Sequence, residues 1–218
     1  MRRALTALVP ILGLTACGYT DGGGGSKTLE VKALLTYKLH DNAIDANIDV
    51  NKDNVTVDGA TVTLTDGDKG DIFTIDQRNN GNHAPYHSSI TGYHRKLALK
   101  VENGDDKLYG QIEGPGSHII SNPDANEVMD RADMGSSFEV RWSTNDGIAA
   151  DEVAVHLHDF DTSIQDDRGN CNVPTSKLVE GTNKIEVERL NRVTLDGGIL
   201  ASVLELAYSV EIEVSVPN

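Results

Sequence analysis

An all-β chain folded as two β-sandwiches is the architecture that this sequence predicts. Three observations carry that reading. Apolar residues recur at every second position through most of the chain from Thr28 onward, the mark of strands with one buried face. Clusters rich in Gly, Asn and Asp interrupt the alternation at Thr65 to Gly70, Asn79 to Asn82, Asn103 to Asp106 and Thr144 to Gly147. Helical spacing is nearly absent, and only Asn126 to Met134 could hold a short helix.

The first 16 residues stand apart from this pattern. Arg2 and Arg3 precede an apolar run from Ala4 to Leu14, too short to span a bilayer as a mature helix. The run ends in Leu14-Thr15-Ala16-Cys17, which resembles the lipobox of bacterial lipoproteins. The resemblance implies a signal peptide over residues 1–16, cleavage before Cys17 and a diacylglycerol on its thiol. It also implies a palmitate-bearing anchor, and Gly18 at the next position implies sorting to the outer membrane or cell surface. Residues 17–27, with Gly22 to Gly25 and Ser26, read as a flexible tether with a reach of about 15–20 Å.

Residues 28–114 are expected to form the first sandwich. Val55-Thr56-Val57, Asp58-Gly59 and Ala60 to Leu64 read as strand, tight turn and strand. Leu97, Leu99 and Val101 alternate with Ala98 and Lys100. The run from Val57 to Leu64, with Gly92-Tyr93 later, resembles transthyretin-like or carboxypeptidase-regulatory-like modules, which are small β-sandwiches and mostly non-catalytic.

The Gly114 to Pro123 segment breaks the alternation and reads as a boundary, leaving 115–218 as the second sandwich. Phe138, Val140 and Trp142 share one face of a strand, as do Val153, Val155 and Leu157, and Ile185 and Val187. The final strand is the clearest. Leu204, Leu206, Tyr208, Val210, Ile212, Val214 and Val216 occupy seven successive even positions. This half is similar to immunoglobulin-like and fibronectin-type-III-like domains, without the cysteine pair that brackets the tryptophan in antibodies.

Charge bounds the function. Nineteen Lys and Arg against 34 Asp and Glu give −15, and removal of Arg2 and Arg3 would make it −17. Such a surface is repelled by phosphate backbones and anionic lipid heads, so nucleic acid is not an expected partner. Membrane affinity must come from the lipid on Cys17.

Chemistry-bearing residues are few. Asp49-Val50-Asn51-Lys52-Asp53 begins like a calcium loop but lacks its glycine and its final glutamate. Asp66, Asp68 and Asp71 cluster carboxylates in a turn, where calcium is one expectation and turn chemistry the other. His156 and His158 would share a face if both lay on a strand, and could then hold Zn²⁺ or Cu²⁺ with a third ligand. Two loops suit contact with a protein or glycan. Asn79 to Ser89 carries His83, Tyr86 and His87; Phe160 to Asn172 carries Asp161 and Asp166. Cys171 has no histidine near it in sequence, and no elbow, zinc-protease or phosphate-loop motif occurs. The expectation is a non-catalytic, membrane-anchored envelope lipoprotein with no obligatory cofactor that binds a partner through sandwich-end loops. A metal-binding envelope protein is the alternative.

Overall fold

The computed structural model describes residues 28–78 and 86–217. The signal segment, Cys17, the tether and His83 therefore lie outside the described residues.

Fifteen strands follow in chain order: β1 (Leu29–Lys38), β2 (Ala43–Lys52), β3 (Val55–Thr56), β4 (Thr61–Asp66), β5 (Ile72–Gln77), β6 (Tyr86–Thr91), β7 (Lys96–Asn103), β8 (Asp106–Glu113), β9 (His118–Asn122), β10 (Ser137–Thr144), β11 (Glu152–Leu157), β12 (Phe160–Ile164), β13 (Asn170–Pro174), β14 (Gly181–Thr194) and β15 (Val203–Val216). One 3-10 turn, Thr175–Lys177, is the helical element among the described residues. The segment expected as a helix is instead an edge cover. Met129 N–H donates to Ser215 O, and Ser215 N–H donates to Glu127 O, so residues 126–129 continue the sheet beside β15. Unmade strand hydrogen bonds outcompeted a weak helical preference there.

The fold is two β-sandwiches, and the same strand order occurs in both. In the first, β1-β2-β6 faces β5-β4-β7-β8; in the second, β9-β10-β13 faces β12-β11-β14-β15. Each pairs a three-stranded layer with a four-stranded one, in the manner of immunoglobulin-like domains. The expected β3–β4 hairpin, on which the transthyretin-like resemblance rested, does not form. β3 pairs with β2, whereas β4 pairs with β5 and β7, so Asp58-Gly59 carries the chain from one layer to the other. Gly59 takes φ +76°, which a side chain would resist. The buried Tyr86 hydroxyl accepts the Ala60 N–H at 2.7 Å and fixes the crossing.

Two apolar cores result. Leu35, Ile44, Ile48, Leu64, Leu97 and Leu99 lie in the first, each essentially sealed from water. Val140, Trp142, Val155, Val187 and Leu178 lie in the second. β15 serves both: Leu204, Leu206, Tyr208 and Val210 fill the first core, while Val214 and Val216 fill the second. Its even residues point inward as the alternation predicts, with Ile212 half-buried between the cores. β14 accompanies β15 in antiparallel register from Gly181↔Val216 to Thr194↔Val203. β15 also pairs with β1, in parallel, from Lys32↔Val203 to Lys38↔Ser209. The two sandwiches therefore share one continuous sheet. The segment Gly114 to Pro123, expected to interrupt the strands, does so only over 114–117, which connect the sandwiches at their junction; β9 fills most of the rest and pairs with β10. A Cβ on Gly114 would collide with Tyr93 and Leu206.

Candidate functional site

β15 is 14 residues long, or about 45 Å at roughly 3.3 Å per residue. Its register gives the molecule two ends. Thr28 and the start of β1 lie beside the β14–β15 loop, where Ile199 N–H donates to Leu29 O at 3.0 Å. The β11–β12 turn lies at the other end, because His156 pairs with Glu186 and Glu186 with Glu211.

At that far end the outer sheet face holds a depression of about 420 Å³, lined by His156, His158, Thr182, Lys184, Glu186 and Glu211. Alternation places His156, Lys184, Glu186 and Glu211 outward, opposite the core-facing Val155, Ile185 and Val187. His158 does not sit beside His156 on the strand. β11 ends at Leu157, and His158 occupies the two-residue turn with φ +50°, a conformation open to it because the hairpin closes there. Its Nε2 meets Asn183 Oδ1 at 2.9 Å, while His156 Nδ1 lies 3.2 Å from Asp161 Oδ1. Both imidazoles are thus already engaged. Among the described residues no group of three or more His, Cys, Asp or Glu could hold a metal ion.

The charges around the depression are organised. Lys184 Nζ donates to Glu211 Oε1 at 2.8 Å, and these contacts push the exposed ammonium's pKa up. Ser209 donates its hydroxyl to Glu186. Burial, and then the neighbouring Glu186, push the Glu188 carboxyl up. The arrangement offers imidazole, ammonium, hydroxyl and carboxylate groups to a polar partner.

The remaining expected site residues divide between structure and surface. Asp66 is a turn-building carboxylate. Its Oδ1 accepts the N–H groups of Asp68 and Lys69 at 2.7 and 3.0 Å, and its Oδ2 meets the buried His94 Nδ1 at 2.6 Å. Burial works against its charge, but these bonds prevail and hold its pKa at about 2. Asp68 pairs with Lys96 at 3.5 Å, and Asp71 contributes a backbone carbonyl to Asp66 N–H, so the three carboxylates do not converge. Tyr86 and His87 are not in a loop, because β6 begins at Tyr86. Tyr86 is a core residue, and His87 Nε2 contacts Asp45 on the neighbouring strand at 2.6 Å. Phe160 to Asn172 is likewise mostly strand, β12 and β13, with a short loop between them. Asp161 stands exposed on β12, and Asp166 is exposed in that loop, where Arg168 donates to it at 2.6 Å. Burial pushes the Cys171 thiol up, and its Sγ approaches only Asn172 O, at 3.7 Å. That is the opposite of an activated cysteine.

Sequence reasoning missed the polar groups at the junction. Arg189 is wholly buried and bonds Asp167 and the Gly116 carbonyl. Nearby, Tyr37, Tyr93 and Tyr208 pack with ring centroids 4.9–5.0 Å apart, and His118 lies 5.5 Å from Tyr208. The signal for Arg189 was present: it falls on the inward phase of Ile185 and Val187.

No known family model matches this chain, and no curated protein does. Solved structures do resemble it. The fibronectin(III)-like modules of Clostridium thermocellum CbhA match with 14% identity and a TM-score of 0.31, over 86% of this chain and 94% of that one. A bacterial ice-binding adhesin, from work on its retention at the host cell surface, matches with 14% identity and a TM-score of 0.27. That match covers 88% of this chain and 66% of the adhesin chain.

Proposed function

We propose that this protein is a membrane-anchored, non-catalytic lipoprotein of the cell envelope, facing the periplasm or the exterior. On this reading it binds a protein or glycan partner at the end remote from its anchor. The observation that carries the reading is the polarity of the molecule. The tether joins at Thr28, and the depression around His156, Lys184, Glu186 and Glu211 lies at the opposite end of β15. A lipid on Cys17 would leave that end facing away from the membrane. The depression suits contact, since it presents hydrogen-bond donors and acceptors on an open sheet face.

Two measurements test the proposal separately. Wild-type protein expressed in bacteria should incorporate labelled fatty acid, and a Cys17→Ser precursor should not; absence of label in the wild type removes the anchor. Photocrosslinking probes at Asp159 and Thr182, read by mass spectrometry in cells, should capture one envelope protein or glycan. Capture only from a probe at Leu200, on the tether end, would place the partner at the wrong end.

A further inference from the structure

We infer that β1 transmits force, and that the protein's further function is mechanical: it carries tension between its anchored end and its far end. The inference rests on the anchored-binder reading for the source of the load, but its geometry does not. β1 lies inside the shared sheet, between β2 over ten register pairs and β15 over seven. Its pairing with β15 is parallel. Tension on the tether draws β1 toward its N-terminal end, while tension from the β11–β12 end draws β15 toward its C-terminal end. Two parallel strands pulled this way slide past each other. Their ladder bonds lie across the force and share it, instead of opening one at a time.

The side chains add to the resistance. Leu29, Val31, Ala33, Leu35 and Tyr37 all point into the first core and must be dragged through it if β1 slides. Extra bonds sit where the load enters. The buried Ser202 hydroxyl accepts Val31 N–H at 3.1 Å and donates to Leu29 O at 3.3 Å, and Ile199 N–H donates to the same carbonyl. Leu39 N–H donates to Ser209 O at the strand's other end. Beyond Ser209, β15 runs unbroken into the second core with β14 alongside, so the path contains no compliant linker. The connector at 114–117 is bypassed.

Single-molecule pulling on the full mature chain tests this in a Cys17→Ser, Cys171→Ser background. One handle sits ahead of Thr28. The second sits at Asp159 in one set, and at the 96% exposed Leu200 in the other. Leu200 neighbours the start of β1, so pulling there peels β1 from β15 from adjacent ends, whereas pulling toward Asp159 loads that ladder in shear through β14 and β11. At equal loading rate, rupture toward Asp159 should need at least about twofold more force than rupture toward Leu200. Equal forces, or a lower force toward Asp159, would overturn the inference. So would a first rupture toward Asp159 that frees the second sandwich and leaves β1 in place. Neither arm uses the lipid, so failure of fatty-acid labelling at Cys17 and failure of this inference are separate results.

Discussion

Arg189 and Asp167 meet at 2.7 Å with 0% and 3% of their side chains exposed, at the junction of the two sandwiches. Asp167 also accepts Trp142 Nε1–H at 2.7 Å and Ala150 N–H at 3.0 Å, and Arg189 reaches the Gly116 and Ile148 carbonyls. One ion pair thereby ties β14, β10, the connector and two loops together. Burial disfavours the Asp167 charge, yet the Ala150, Trp142 and Arg189 bonds outweigh it and lower the pKa. Asp167→Asn should destabilise the protein by about 3–5 kcal/mol, because it strands a buried guanidinium. Asp166→Asn, one residue away and exposed, should cost within about 0.5 kcal/mol. Urea denaturation of both variants checks the contrast, and similar losses would refute it.

The second expectation concerns the faces of β15. Val210 is 7% exposed, whereas Glu211 points outward and pairs with Lys184. Val210→Asp should cost several kcal/mol, about 3 or more, because an unpaired charge would enter the first core. Glu211→Gln removes an exposed ion pair worth roughly 0–1 kcal/mol. Equal midpoint shifts in thermal unfolding would mean the strand faces the other way.

Acid should weaken the fold in two stages. Burial holds the His118 pKa at about 4, below its ordinary 6.5, and its Nε2–H donates to Val187 O at 3.0 Å in the neutral form. The unfolded chain therefore binds this proton first. Stability is unaffected above pH 6.5 and falls as pH drops from 6.5 to about 4, by about 3 kcal/mol in all. Asp66 acts below that window. Its folded pKa of about 2 lies under the ordinary 3.8, so its contribution holds above 3.8 and disappears as pH falls toward 2. A His118→Gln variant should flatten the stability profile between pH 6.5 and 4 and leave the lower stage intact. Chemical denaturation across that range decides it.

Cys171 provides a fourth test. Its half-buried thiol is pushed up by burial, so alkylation by iodoacetamide at pH 7.5 should be slow in the folded protein and speed up sharply in urea. Rapid alkylation of native protein would indicate an activated thiol and reopen a catalytic role.

Much of the fold was legible because strand alternation has a short period. Every inward residue from Leu204 to Val210 is buried as the sequence predicts. What could not be read was pairing. Nothing local tells β3 to pair with β2 instead of β4, or β1 to lie parallel to a strand about 170 positions later. Such choices come from how layers cover each other. The site was less legible for a related reason. Asp66 and Tyr86 looked functional because polar groups in turn-rich sequence serve turns and cores equally well, and only their partners separate the roles. Arg189 was the inverse case, a charge on the apolar phase whose meaning depended on Asp167 across the sandwich.

The sharing of β15 also governs when the protein can fold. Leu204, Leu206, Tyr208 and Val210, with Leu195, complete a core whose other buried residues lie between Leu29 and Ile112. Residues 28–114 alone would expose that cavity to water, so they should not fold by themselves during synthesis. Contacts this distant in sequence make folding slow, since the chain must close its longest loop before most of its apolar surface is covered. A polypeptide whose first core waits for its last strand stays open until almost all of it has been synthesised.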